Sequence, residues 1–177
     1  VVGDPFFHGW ASQLSGALAE ADEVYKKLRG QHDVTLLTRS EATKPAVVQA
    51  IGESECVHLA THGAPDGVFL SAPTATEGKL SMAEVQSLQL ASAKLVVLSE
   101  CDSFKGELRA DGVIGITRAF VAAGAPTLLA TLWKVSDSAT RVLMTRFYDR
   151  LLGEAAGDAA AALQGTMVSM IRAGFKP

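Results

Sequence analysis

"CVHLATHG", residues 56–63, is an apolar strand-forming run that ends on a His-Gly pair, and "KLVVLSEC", residues 94–101, repeats that shape with a cysteine at its end. Both runs are continuously apolar rather than alternating, which marks strands buried on both faces. Stretches of helical spacing separate the apolar runs, so the pattern predicts an α/β chain: a three-layer α/β/α sandwich around a mostly parallel sheet. In such folds functional groups gather beyond the carboxyl ends of the strands. His62 and Cys101 both fall just there.

Working outward, strands and helices alternate. Val1 and Val2 read as a short first strand closed by Gly3-Asp4-Pro5, and residues 14–28 as a helix stopped at Arg29-Gly30. Residues 34–37 read as a strand, and Thr43 is placed to cap a helix through about residue 51, with Pro45 in its first turn. The Pro-, Gly- and Thr-rich stretch 63–81 predicts a hairpin or an excursion over the sheet edge. Ser81 and Glu84 have capping-box spacing before a short helix to about residue 88. Strands are expected at 95–98 and 126–132, and helices at 112–123, 136–152 and 159–171. Asp111 fits the N-cap of the first of these, a role worth roughly 1 kcal/mol, and Ser136 the cap of the second.

With 177 residues the chain is long enough for one domain with a sizeable core, here residues 1–177, and too short to expect two. An initial Val in place of Met points to a piece of a longer protein. Apolar residues make up 48% and charged residues 20%, as in ordinary globular proteins. A net charge of −3 supplies no basic field for nucleic acid or anionic lipid, and no apolar stretch reaches the roughly 20 residues of a membrane span. Two cysteines, Cys56 and Cys101, do not make a secreted disulfide framework, which favours the cytoplasm. No Cys-x-x-Cys spacing supports a zinc site.

A cysteine attacks carbonyls as the thiolate, and an imidazole nearby supplies general acid and base function. The oxyanion that forms needs preorganised N–H donors, and Gly63 would let a substrate carbonyl approach its own N–H closely. Against that stands a plainer alternative: Cys101 a small buried apolar residue, His62 a hydrogen-bonded loop residue. His58 faces the same choice and reads as a satisfied core histidine, with Cys56 in a packing role. Trp133, at a strand end, suits either a pocket wall or simple packing. The polar tract "DSFKGELRADG", residues 102–112, holds Lys105 and Arg109 and suits an activation loop or a self-cleavage site.

Taken together, "VVGDP", "LSGALAEADEV", "ATKPAVVQAI", "VHLATHG", "LVVLSEC", "LMTRFYDRLL" and above all residues 106–140, "GELRADGVIGITRAFVAAGAPTLLATLWKVSDSAT", resemble the CHAT domain. That is a caspase-like peptidase module often attached to tetratricopeptide repeats and more distantly similar to separases, caspases and gingipains. The resemblance implies a cysteine endopeptidase working through an acyl-enzyme without metal or cofactor. It assigns Cys101 as nucleophile, His62 as acid/base partner, and the N–H groups of Gly63 and Cys101 as the oxyanion hole. It implies protein or peptide substrates, and regulatory tetratricopeptide repeats on the parent chain. Separases carry a stretch similar to "LWKVSD", residues 132–137, in which an acid receives a basic side chain; by that match Asp137 would bind Arg or Lys before the cut. Asp137 also suits the first turn of a helix, where a negative charge is favourable.

Two departures stand out. Glu100 precedes the nucleophile where the family has a small residue, and the chain ends at "GFKP" where relatives add an aromatic-rich strand. Regular pleating would turn Glu100 away from Cys101; leaning toward the sulfur, its carboxylate would raise the thiol and slow attack. These departures support an alternative, a catalytically weak or inactive caspase-like docking module. A different thiol hydrolase on a doubly wound sheet fits "DGVIGITRAF" poorly.

Overall fold

The computed structural model describes residues 1–64, 66–100, 110–131 and 137–175, the side chains at 100, 110–114 and 137 excepted. Five parallel strands form the central sheet: β1 (Val2–Pro5), β2 (Leu37–Arg39), β3 (Cys56–Thr61), β7 (Leu95–Glu100) and β8 (Leu128–Ala130), in the order β2-β1-β3-β7-β8. Between β3 and β7 a separate antiparallel sheet is built from β4 (Gly63–Ala64), β5 (Gly67–Phe69) and β6 (Lys79–Ser81), which is the excursion expected from the Pro/Gly-rich stretch. A four-residue helix, α3 (Ala75–Gly78), precedes β6.

Each face of the main sheet carries its own apolar cluster. Val57, Leu59, Val96 and Leu98 pack with Val47 and Ile51 of α2 (Lys44–Glu53), Val85 of α4 (Met82–Ser87) and Phe120 of α5 (Ala110–Ala122). On the other face Leu95 and Val97 meet Val24 of α1 (Ser15–Leu28), Phe147 and Tyr148 of α6 (Asp137–Leu152) and Ala162 of α7 (Ala159–Arg172). The strands are continuously apolar because both faces are covered, and the fold is a three-layer, caspase-like α/β/α sandwich.

From β1 the chain turns outward to β2, then returns past β1 to β3 and steps on to β7 and β8. The direction of winding therefore reverses between β1 and β3. Right-handed crossovers require that reversal to move the connecting helix to the other face, as α1 and α2 do. A crevice opens at the carboxyl ends of adjacent strands where winding reverses.

Several elements depart from the sequence reading. β1 runs through Gly3-Asp4-Pro5 instead of closing there; Pro5 is tolerated because the β1–β2 register shifts between Gly3 and Pro5. Gly3 must lack a side chain, since a Cβ would come within 2.3 Å of the Ala21 Cβ where α1 lies on the strand. The second strand is Leu37–Arg39, not 34–37: pairing begins at Leu37, and Val34 packs into the α1/α6 cluster. Thr43 holds the N-cap position of α2 without a side-chain cap bond. Asp111 lies inside α5, which starts at Ala110, and is not its N-cap. The Ser81–Glu84 capping box is formed in both directions. Ser136 lies outside the described residues.

Candidate active site

β3 and β7 pair in parallel from Cys56↔Leu95 to Thr61↔Glu100, so both strands end at the same edge on the same rung. His62 follows directly from β3, next to the crevice between β1 and β3. Its neighbours come from the segment joining β1 to α1 and from β5. Nε2 lies 2.8 Å from the carbonyl oxygen of Ser12, and the ring packs on Phe7 with centroids 4.8 Å apart. A carbonyl only accepts, so Nε2 carries the proton in this contact and Nδ1 is the imine nitrogen of the neutral ring. Phe7 is itself braced by Trp10, which packs edge-on against Phe69 and donates Nε1–H to the Ala72 carbonyl at 2.8 Å. The result is a histidine that is 1% exposed and held on several sides.

The main chain at His62 is fixed as well. Phe69 N–H donates to the His62 carbonyl at 2.9 Å, and Thr61 Oγ1 donates to the Phe69 carbonyl at 2.6 Å. The carbonyl of His62 and the N–H of Gly63 belong to one trans peptide and point in opposite directions. With the carbonyl turned toward β5, the Gly63 N–H is turned away from it.

His58, four residues earlier, does different work. Its Nε2 lies 3.0 Å from Glu20 Oε1 and its Nδ1 3.2 Å from the Tyr148 hydroxyl, which in turn lies 3.8 Å from Cys56 Sγ. All donors are used once if Cys56 gives to Tyr148, Tyr148 to His58, and His58 to a Glu20 carboxylate. Burial pushes the Tyr148 phenol well above its usual range, which keeps it a donor. Burial likewise raises the Cys56 thiol, opposed in part by its contact with Tyr148. The satisfied core histidine expected from the sequence is what the fold contains.

The remaining candidates divide as follows. Cys101 and Trp133 lie outside the described residues, as do Lys105 and Arg109. Asp137 opens α6 and Glu100 closes β7, and in both the side chain lies outside the description. Sequence reasoning missed Ser12 and Phe7, the immediate partners of the imidazole. Among the described residues no cluster of three His, Cys, Asp or Glu groups is placed to hold a metal, and no helix is long and apolar enough to cross a membrane. An open cleft of about 500 Å³ lined by Arg146, Asp149, Arg150 and Glu154 lies between α6 and α7. It belongs to the later turns of α6, which runs back from the carboxyl edge of the sheet, and so it stands apart from His62.

Comparison with known proteins identifies the family. Human tetratricopeptide repeat protein 28 is 34% identical over 164 aligned residues, covering 70% of this chain, and its mouse counterpart 33% over 156, covering 66%. The chain spans only 7% and 6% of the length of these relatives. The CHAT domain family matches residues 1–175. The chain therefore belongs to the CHAT domain family, within the clan of caspase-like cysteine peptidases.

Proposed function

We propose that the chain is one peptidase domain that cleaves peptide bonds through Cys101 and His62. The register of β3 and β7 carries this reading. Ala60 pairs with Ser99, and Ala60 packs on Leu14 and Ala17 below α1. One further rung would bring position 62 opposite position 101 on that same face. Nδ1 of His62 first takes the proton of the Cys101 thiol; the resulting thiolate attacks the scissile carbonyl, and the oxyanion is met by the N–H groups of Gly63 and Cys101. His62 protonates the leaving amine from Nδ1, and the acyl-enzyme forms as the C–N bond breaks. Water then attacks the thioester, His62 takes its proton, and the sulfur leaves. The imidazole suits this work because Ser12 occupies Nε2 and fixes which nitrogen transfers the proton.

Asp137 and Trp133 are assigned to the substrate pocket, with Asp137 receiving Arg or Lys before the cut. The relatives' name supports tetratricopeptide repeats as regulatory partners, and the two-cysteine composition a reducing, cytoplasmic setting. The test is hydrolysis of a panel of peptides differing only at the residue before the cut. Cys101→Ala is expected to abolish turnover and Cys56→Ala to leave it largely intact. A basic preference should disappear in Asp137→Ala; an apolar preference untouched by that change would reduce Asp137 to a helix-start residue. A folded protein that cleaves nothing, and whose Cys101 a peptide-like thiol probe does not label selectively, would leave the docking module.

A further inference from the structure

Ser12 lies outside every helix and strand, yet its carbonyl decides which nitrogen of His62 carries the proton. A backbone oxygen in an irregular segment keeps its direction only if the peptide unit that bears it is tied down. That unit continues into Gln13 N, and the two residues that follow Ser12 are both held by one carboxylate. Asp4 Oδ1 accepts the Leu14 N–H at 2.6 Å and Gln13 Nε2–H at 3.0 Å. Gln13 closes the arrangement: its amide also donates to the Pro5 carbonyl at 3.0 Å, and its Oε1 accepts the Phe7 N–H at 3.0 Å. Gln13 thereby links the residue that packs on the imidazole, Phe7, to the peptide that bonds it.

Asp4 is held at some cost. It is fully buried with φ of +45°, a left-handed conformation that few non-glycine residues adopt. A buried carboxylate is expensive unless bonded and paired. Its second oxygen lies 2.7 Å from Arg39 Nη1, close enough for an ion pair though not aligned as a hydrogen bond. Strain and a buried charge on one residue are the pattern of a site whose geometry is over-determined.

We infer that Asp4 and Gln13 are positioning residues of the His62 site: together they hold the Ser12–Gln13 peptide so that its carbonyl keeps the proton on Nε2 and reserves Nδ1 for transfer. The inference rests on the reading of His62 as the acid/base group, but the hold on the imidazole belongs to the resting protein and is measurable without turnover.

The experiment uses the chain labelled with ¹⁵N-histidine and long-range ¹H–¹⁵N correlation at His62, alongside peptide hydrolysis. Wild type is expected to show one neutral tautomer, protonated at Nε2. In Gln13→Ala that preference should be lost, with kcat falling roughly tenfold to a hundredfold and KM little changed. Asp4→Asn keeps an acceptor oxygen for Leu14 and Gln13, so it should retain the wild-type tautomer where Asp4→Ala loses it. If Asp4→Ala does not fold, Gln13→Ala decides. A Gln13→Ala protein of lower stability with the wild-type tautomer would make both residues scaffold and overturn the inference. A tautomer that responds as stated in a wild type without hydrolytic activity would uphold the positioning and defeat the peptidase reading.

Discussion

His58 and His62 stand four apart on one strand and the fold uses them oppositely. His58 spends both nitrogens on Glu20 and Tyr148 inside the core, while His62 commits Nε2 to a backbone carbonyl at the strand end. Tyr148→Phe would strip His58 of a donor and strand a buried nitrogen. It is expected to destabilise the protein by about 1–3 kcal/mol, read as a lower urea midpoint at unchanged slope. Cys56 gives a second measurable contrast. Alkylation consumes the thiolate, and burial raises this thiol, so its rate should still be climbing above about pH 8.5, where an ordinary cysteine levels off. Mass-spectrometric labelling against pH checks this; levelling at the ordinary value would show that the thiol is open to water. The role of His58 was legible because a histidine inside an apolar run has few other options. The partners of His62 were not, since Ser12 contributes an oxygen every residue type carries, and nothing in its side chain announces it.

Elements were legible where local chemistry decides them. The Ser81–Glu84 pair specified the start of α4 because the capping box is closed by its own side chains, and Lys44 from α2 adds a 3.0 Å ion pair to Glu84. Hydrogen bonds from Ser81, then the Lys44 charge, lower the Glu84 carboxyl to about 2. Ser81→Ala should cost about 0.5–2 kcal/mol by chemical denaturation. The pH dependence follows from the sign of the shift. A carboxyl lower in the folded state supports folding above its ordinary value of 4.5, and that support is lost as pH falls toward about 2. Glu84→Gln should therefore narrow the difference in stability between neutral and acid solution. Where tertiary contacts decide, sequence pattern fell short. Val34 is as apolar as a strand residue but is used for packing, and pairing waits until Leu37, whose N–H donates to the Val1 carbonyl at 2.9 Å. Asp111-Gly112 looked like a helix start, yet α5 has already begun at Ala110.

For the whole molecule, periodicity showed that the strands are buried on both faces but could not order them, since order depends on which face each crossover takes. The order matters for stability. β3 and β7 lie inside the sheet with helices on both sides, whereas β2 forms one edge. Hydrogen exchange should accordingly be slowest at residues 57–59 and 96–98 and much faster at Leu37–Arg39; equal protection of β2 would contradict the described order. The strand order also has a consequence in time. Phe7, Ser12 and Phe69, which pack on or bond to His62, are encoded within the first 69 residues, as are Asp4 and Gln13. β7 and Cys101 come some thirty residues later. During synthesis on the ribosome, Phe7, Ser12 and Phe69 are therefore translated before Cys101, so on the function proposed above the nascent chain carries its proton-transfer half before it carries a nucleophile.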